Sequence, residues 1–403
     1  MSEYTRSLLP IRWPDEPKRT YDVVIIGGGG HGLSIAWHLA VRHGVTNVAV
    51  IEADYIASGN TGRNTTIIRA NYGLPEAIRF YQHSLELYQE LEAETGAAIL
   101  HQTKGIVWLA HTEMAMRTER ARCAMNQAAG AQTYMRTPAE LKALVPQLDL
   151  TGGGRYPVLG GSHHVEGATA RHDRVAWAYA SGASQRGVDI LQHTEVTGLV
   201  LDGERVVGVE TSAGRIRAGQ VVSAVGGRVT RVAAMAGLRL PIRTHPLHAF
   251  VTNDYAPGFP IILASTELAC YVSQTDRGQM LIGAEFDSQP SYSRVSSFAA
   301  LRSYSYKITR LLPFLRDMRI LRTWAGICDI SVDFSPIMST TPVEGFLVTT
   351  GWGTWGFKAI PAGGEGMAHL VATGRPNDHI APFSLDRFRR DHVLADAGSA
   401  GTR

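Results

Sequence analysis

Gly27-x-Gly29-x-x-Gly32 stands between an apolar run at residues 21–26 and a helical pattern at residues 30–43, and Glu52 closes a second apolar run that begins at residue 48. In that setting the first glycine permits a tight turn and the second lets backbone approach a pyrophosphate. The third allows helix and strand to pack, and the helix N-terminus supplies positive potential. A carboxylate at position 52 accepts hydrogen bonds from ribose hydroxyls. The pattern reads as a dinucleotide site that includes Gly30 and His31 among its cofactor-binding residues, and the acid does not separate FAD from NAD. His31, at the helix start, reads by residue type as a capping or solvated side chain before it reads as a catalyst.

Two further glycine turns favour FAD, because a flavin ring lies extended across a domain and is held at both ends. Asn60-Thr-Gly-Arg-Asn64 offers donors from Asn60, Arg63 and Asn64. Gly351-Trp-Gly-Thr-Trp-Gly-Phe-Lys358 can present backbone N–H groups around Gly353 and Gly356, followed by a cation. Such donors stabilise the negative charge that develops at the N1/O2 edge of a reduced flavin. Ordinary loops give the same pattern, and by residue type alone Arg69 and Lys358 read as surface charges. No metal centre is expected. His245 and His248 are three apart in a strand-like stretch, which puts their rings on opposite faces, and His163 and His164 read as structural or near a substrate.

The elements that would position these groups are mixed. Residues 21–26, 30–43 and 48–52 form a βαβ unit, so the sheet there is parallel. Residues 74–95 have helical spacing, and Thr137-Pro-Ala-Glu140 is a capping box that starts a short helix over residues 137–145. Strands follow at 189–192, 196–202, 205–211 and 215–224, with Asp202-Gly203 and Ala213-Gly214 as hairpin turns. A second β-rich region covers 247–286, a helix lies near 298–312, a strand at 345–350, and a last helix runs from about 364 to 373. Composition agrees with a globular chain. The 403 residues carry 39 Lys+Arg against 36 Asp+Glu, a net charge of +3 that argues against a nucleic-acid or polybasic membrane binder. Residues 23–41 are the longest apolar stretch, but four consecutive glycines interrupt it, so no membrane segment is expected. Three widely spaced cysteines suggest neither a disulfide framework nor a zinc site, and the charged stretch at residues 1–20 does not resemble a signal peptide, so a cytoplasmic location is expected.

Gly27 to Gly32, Asn64-Thr-Thr-Ile-Ile-Arg69, Arg171-His-Asp-Arg-Val-Ala-Trp177, Leu321-Arg-Thr-Trp324 and the glycine turn ending at Lys358 closely resemble the β subunits of heterotetrameric sarcosine oxidases, from about Trp13 to His392. The resemblance implies an α/β fold: a Rossmann-type FAD-binding domain of the glutathione-reductase and D-amino-acid-oxidase kind, with an interleaved α+β substrate domain. The first is expected over residues 1–85, 155–235 and 325–403, the second over 86–154 and 236–324. It also implies noncovalent FAD, whose contacts extend to Val196, and a second flavin, FMN, attached covalently to His172. A neutral imidazole can add to an electrophilic flavin tautomer at its 8α-methyl carbon. Without the resemblance, His172 reads as a capping or surface histidine. The family pattern has lysine at position 171 and histidine at 174, where this chain has arginines, and arginine is no tunable base.

By the same resemblance Arg69 and Lys358 grip the carboxylate of an N-methyl amino acid, with Arg322 a lesser candidate near either flavin. The implied reaction converts sarcosine to glycine, passes a one-carbon unit to tetrahydrofolate or releases it as formaldehyde, and reduces O2 to H2O2. The implied partners are α, γ and δ subunits. Two alternatives remain open on sequence: a related dehydrogenase of proline, hydroxyproline or opines, and a non-catalytic dinucleotide-binding scaffold.

Overall fold

The computed structural model describes residues 10–256 and 258–394. Residues 1–9, part of the stretch read for a leader, and residues 395–403, the end of the third expected nucleotide-binding piece, lie outside the described residues.

The first sheet grows from the βαβ unit. Thr20–Ile26 is apolar and buried on both faces over residues 23–26, as a strand covered on both sides must be, and it pairs in parallel with Val48–Ile51 on one side and Gly214–Ser223 on the other. Asp189–Leu191 extends the sheet beyond Val48–Ile51. On the other side Gly214–Ser223 pairs with Arg205–Thr211, which pairs with Val196–Asp202, and it also takes Phe346–Thr350 alongside in parallel. The two turns expected of the hairpins join these strands, with Gly203 and Gly214 at φ 59° and 107°. Helices Gly30–Arg42, His172–Ser184 and Ile360–Thr373 pack with Pro75–Thr95 in one core over this sheet.

The last helix begins four residues earlier than its sequence suggests, with Pro361 in the first turn. Gly363, Gly364 and Gly366 lower its helical signal, yet they are what lets it lie against Gly30–Arg42. A Cβ on Gly364 would sit 2.0 Å from Ser34 Oγ, and one on Gly30 would sit 2.3 Å from Ile360 Cδ1. Tertiary contact overrides propensity here.

The second sheet runs Ile320–Ser331, Ile242–Asp254, Gln279–Phe286, Cys270–Gln274, Ile262–Ser265, Ile106–Ala110, Gly160–His164, Thr133–Arg136. Away from the bulges in Ile242–Asp254, its central side chains alternate. Val107, Leu109, Leu263, Val272 and Ile282 face the helices Pro138–Leu144 and Phe298–Leu311. Ile106, Trp108, Ile262 and Ala264 face the other way with Tyr271, toward the first sheet. The Thr137 capping box forms with both of its bonds. Gly160–His164 belongs to this sheet although it falls in the 155–235 stretch, and Ile320–Ser331 runs through position 325. His245 and His248 are both held by Asp287, through its carbonyl at 2.7 Å and its Oδ1 at 2.8 Å. Among the described residues there is no cluster of metal donors, and no helix is long and apolar enough to cross a membrane.

Gly364→Ala should push the two helices apart. Overpacking of this kind costs about 1–3 kcal/mol, so the urea midpoint of the flavin-saturated protein should fall with no change in slope.

Candidate active site

A cavity of about 480 Å³ lies between the carboxyl ends of the first sheet and the Tyr271 face of the second. The amino-terminal glycine turn forms one end. Gly27, at φ 110°, lies so close to Ala224 that a Cβ would meet its carbonyl oxygen at 2.6 Å. Gly29, Gly30 and His31 continue the wall. Gly32 does not line the cavity. It packs beneath the turn, where a Cβ would stand 2.0 Å from Gly27 O, and this is the helix-packing role its spacing implies. Glu52 accepts from Gly28 N at 2.8 Å through one carboxylate oxygen and from Asp54 N at 3.0 Å through the other, so its orientation is fixed and each oxygen keeps a free lone pair. Val196 lines the same end with Thr194 and Met235.

In the loop after Glu52, Asn60, Arg63 and Asn64 all line the cavity, and each also bonds to the protein itself. Asn60 clasps Ile327 through both ends of its amide, Nδ2 to the carbonyl at 2.6 Å and Oδ1 from the N–H at 2.9 Å. Arg63 donates to the carbonyls of Ser58 and Gly59. Asn64 donates to Thr61 O and accepts from Thr66 N. Thr61, which sequence reasoning did not single out, accepts from Gly30 N at 2.9 Å and ties this loop to the glycine turn. Thr66 adopts φ 63°, a strained conformation for a β-branched residue, just before the chain enters the strand that leads to Arg69.

Arg69 is buried. Its guanidinium donates to Asn71 Oδ1 at 2.9 Å and lies over the rings of Tyr72 and Trp108. Lys358 is buried as well, and its Nζ donates to Thr354 O at 3.1 Å. Burial, then the charge of Arg69, holds the Lys358 amine well below the usual lysine range. Tyr271, over Gly283 on the second sheet, meets Thr65 at 2.7 Å and closes the cavity opposite.

The carboxy-terminal glycine turn is clamped from two sides. His31 stacks on Trp352 at 4.0 Å and its Nε2 donates to Gly356 O at 2.9 Å, while burial pushes its pKa down to about 3, so the ring is neutral. From the second sheet, the buried Asp329 carboxylate accepts from Thr350 Oγ1 at 2.8 Å, Gly351 N at 2.7 Å and Trp352 N at 3.3 Å, and its carbonyl accepts from Gly353 N at 2.9 Å. Gly353 therefore meets the cavity through its missing side chain. Thr354 and Gly356 also line the cavity and keep N–H groups without a partner among the described residues. An acid inside the apolar run at 325–331 was the one available sign of Asp329; nothing in the sequence marked Trp108 or Tyr271.

His172 and Arg322 lie outside this cavity. Arg322 is exposed on Ile320–Ser331. His172 opens the helix His172–Ser184 behind the loop holding Arg63, and burial lowers its pKa, which favours the neutral ring. Neighbouring Arg171 is paired with Asp173 at 2.6 Å and Asp276 at 3.4 Å.

Residues 22–370 match the FAD dependent oxidoreductase family. The chain is 41% identical over 385 residues to the sarcosine oxidase subunit beta of Arthrobacter sp, covering 96% of this chain and 95% of that one. It is 42% identical over 387 residues to the protein of the same name from Rhizobium meliloti (strain 1021), covering 96% and 92%. Among solved structures it is similar to L-proline dehydrogenase from P.horikoshii, with a TM-score of 0.88 and 28% identity over 94% of this chain and 100% of that one.

Replacing Lys358 by Met should change how stability depends on pH. The unfolded chain holds this proton up to about pH 10.4, whereas the folded protein releases it earlier. The unfolded state thus binds more protons across that window, and wild-type stability gains from rising pH. Urea midpoints from neutral to alkaline pH should show this gain in the wild type and a smaller one in Lys358→Met.

Proposed function

The chain belongs to the FAD dependent oxidoreductase family and, within it, to the sarcosine oxidase β subunits, and from this we propose that it is the subunit that oxidises sarcosine. The observation that carries the reading is the pairing of two buried basic side chains, Arg69 and Lys358, in one cavity with the dinucleotide turn. The residues present fit FAD: the glycines leave a cradle that a Cβ would fill, Glu52 is oriented for a ribose, and the Thr354 and Gly356 amides have no partner among the described residues. When bound, FAD accepts the two electrons of the amine's C–H bond as a hydride equivalent.

The chain's own residues bind and orient the substrate. The Arg69 guanidinium holds the carboxylate by its fork, and stacking on Trp108 and Tyr72 fixes its plane. An arriving carboxylate favours the protonated form of Lys358, so substrate binding and lysine charging are coupled. The second sheet covers the cavity through Trp108, Ala264 and Tyr271. Sarcosine, O2 and water yield glycine, formaldehyde and H2O2, or the one-carbon unit passes to tetrahydrofolate.

His172 is the attachment point for a second flavin, FMN. Burial lowers its pKa and so favours the neutral ring, which has no hydrogen-bond partner among the described residues and does not line the FAD cavity, lying against the loop holding Arg63. The chain works within an assembly, with α, γ and δ subunits as partners, in the cytoplasm. The likeness to a proline dehydrogenase keeps a second amine in view, and turnover of proline but not sarcosine by the assembled complex would replace this reading.

Arg69→Lys should raise KM for sarcosine about 10- to 100-fold, since hydrogen bonds to charged groups contribute about 1.5–3 kcal/mol; steady-state kinetics on the FAD-loaded complex measures it. The denatured wild-type chain, isolated from the assembled complex, should keep flavin fluorescence on a gel, and His172→Ala should be dark. An equally fluorescent His172→Ala chain would move the attachment elsewhere.

A further inference from the structure

Four consecutive residues, Thr350 to Gly353, hydrogen-bond to Asp329. These residues leave the carboxyl end of Phe346–Thr350, a parallel strand of the first sheet, at the edge where a dinucleotide fold binds its ligand. Asp329 stands on Ile320–Ser331, an outer strand of the second sheet. One side chain of the substrate-covering sheet therefore sets the turn that carries Thr354, Gly356 and Lys358. That turn is demanding: Gly351 and Gly353 take φ 72° and 48°, and Lys358 is held through Thr354 O.

Resting on the flavin-dependent amine oxidation described above, we propose that Asp329 is a positioning residue of this site, fixing residues 351–358 in the arrangement that brings the Thr354 and Gly356 N–H groups and Lys358 onto the cavity wall. Three donors converge on the single oxygen Oδ2. An ionised carboxylate is the group best suited to accept them all, because charge-assisted bonds are shorter and stronger than neutral ones. An amide in the same place would offer a weaker acceptor and bring an N–H₂ group that needs a partner of its own. Asp329 need not touch substrate or flavin; it acts through the turn.

The role is separable from simple stabilisation and from the charge of the carboxylate. Sulfite adds reversibly to an oxidised flavin and leaves negative charge on the pyrimidine half of the ring, which is where free N–H groups and a cation help. Asp329→Glu keeps the charge but displaces the turn by one methylene, and Thr350→Val keeps the carboxylate but removes one anchor. In a His172→Ala background, which carries FAD alone, and with FAD content unchanged, Asp329→Glu should bind sulfite at least about 10-fold more weakly and Thr350→Val about 3-fold more weakly, each fold factor being a difference in binding free energy. kcat with sarcosine should fall in the same order. If Asp329→Glu does not fold, Thr350→Val decides. Wild-type sulfite affinity and turnover in both variants would overturn the proposal, as would a tighter sulfite complex in Asp329→Asn, which would assign the effect to charge alone. A wild type that binds sulfite normally but oxidises no sarcosine would instead unseat the choice of substrate and leave the role of Asp329 standing.

Discussion

Where two sheets meet edge to face around a cavity, the backbone groups at the strand ends lose water and must be bonded by something. In this protein side chains do it, and each reaches across from a neighbouring segment. Glu52 takes Gly28 N, Thr61 takes Gly30 N, Asn60 clasps both backbone groups of Ile327, and Asp329 takes Gly351 and Trp352. A buried donor left without a partner costs about 1–3 kcal/mol, so the four side chains are a condition for the cavity having this shape. The same bonds fix which groups remain to meet a ligand.

The second constraint is electrostatic. Arg69 and Lys358 share a buried region, and no carboxylate among the described residues is ion-paired with Lys358. Arginine stays charged under such conditions, whereas lysine yields its proton. The pair is thus a fixed cation beside an adjustable one, a setting that favours anionic guests over neutral ones of the same size.

Much of the fold was legible because its signals are local. The βαβ unit shows as continuous apolar runs around a glycine turn, the hairpins show as Asp-Gly and Ala-Gly between β-branched stretches, and the capping box lies in four residues. Gly160–His164 was not legible. Its Gly-Gly-Ser-His-His sequence has no strand character, and it is a strand because Ile106–Ala110 and Thr133–Arg136 pair with it on both sides, so closely that a Cβ on Gly161 would meet Trp108 O at 2.4 Å. In the site, the loop at residues 60–64 and the glycine turn ending at Lys358 both line the cavity. Asn60 and Asn64 read as donors to a ligand, and their amides are engaged with the protein itself. Asp329 has no neighbour in sequence that explains it; its partners are some twenty residues further on.

Gly30 and Ile360 are in contact across nearly the whole length of the chain. A ribosome must therefore have made almost all of the polypeptide before the two ends of the cradle can meet. Such non-local closure is slow to form. Neither end of the sequence alone carries the whole nucleotide cradle, because the glycine turn and the helix start it rests on come from opposite ends of the chain.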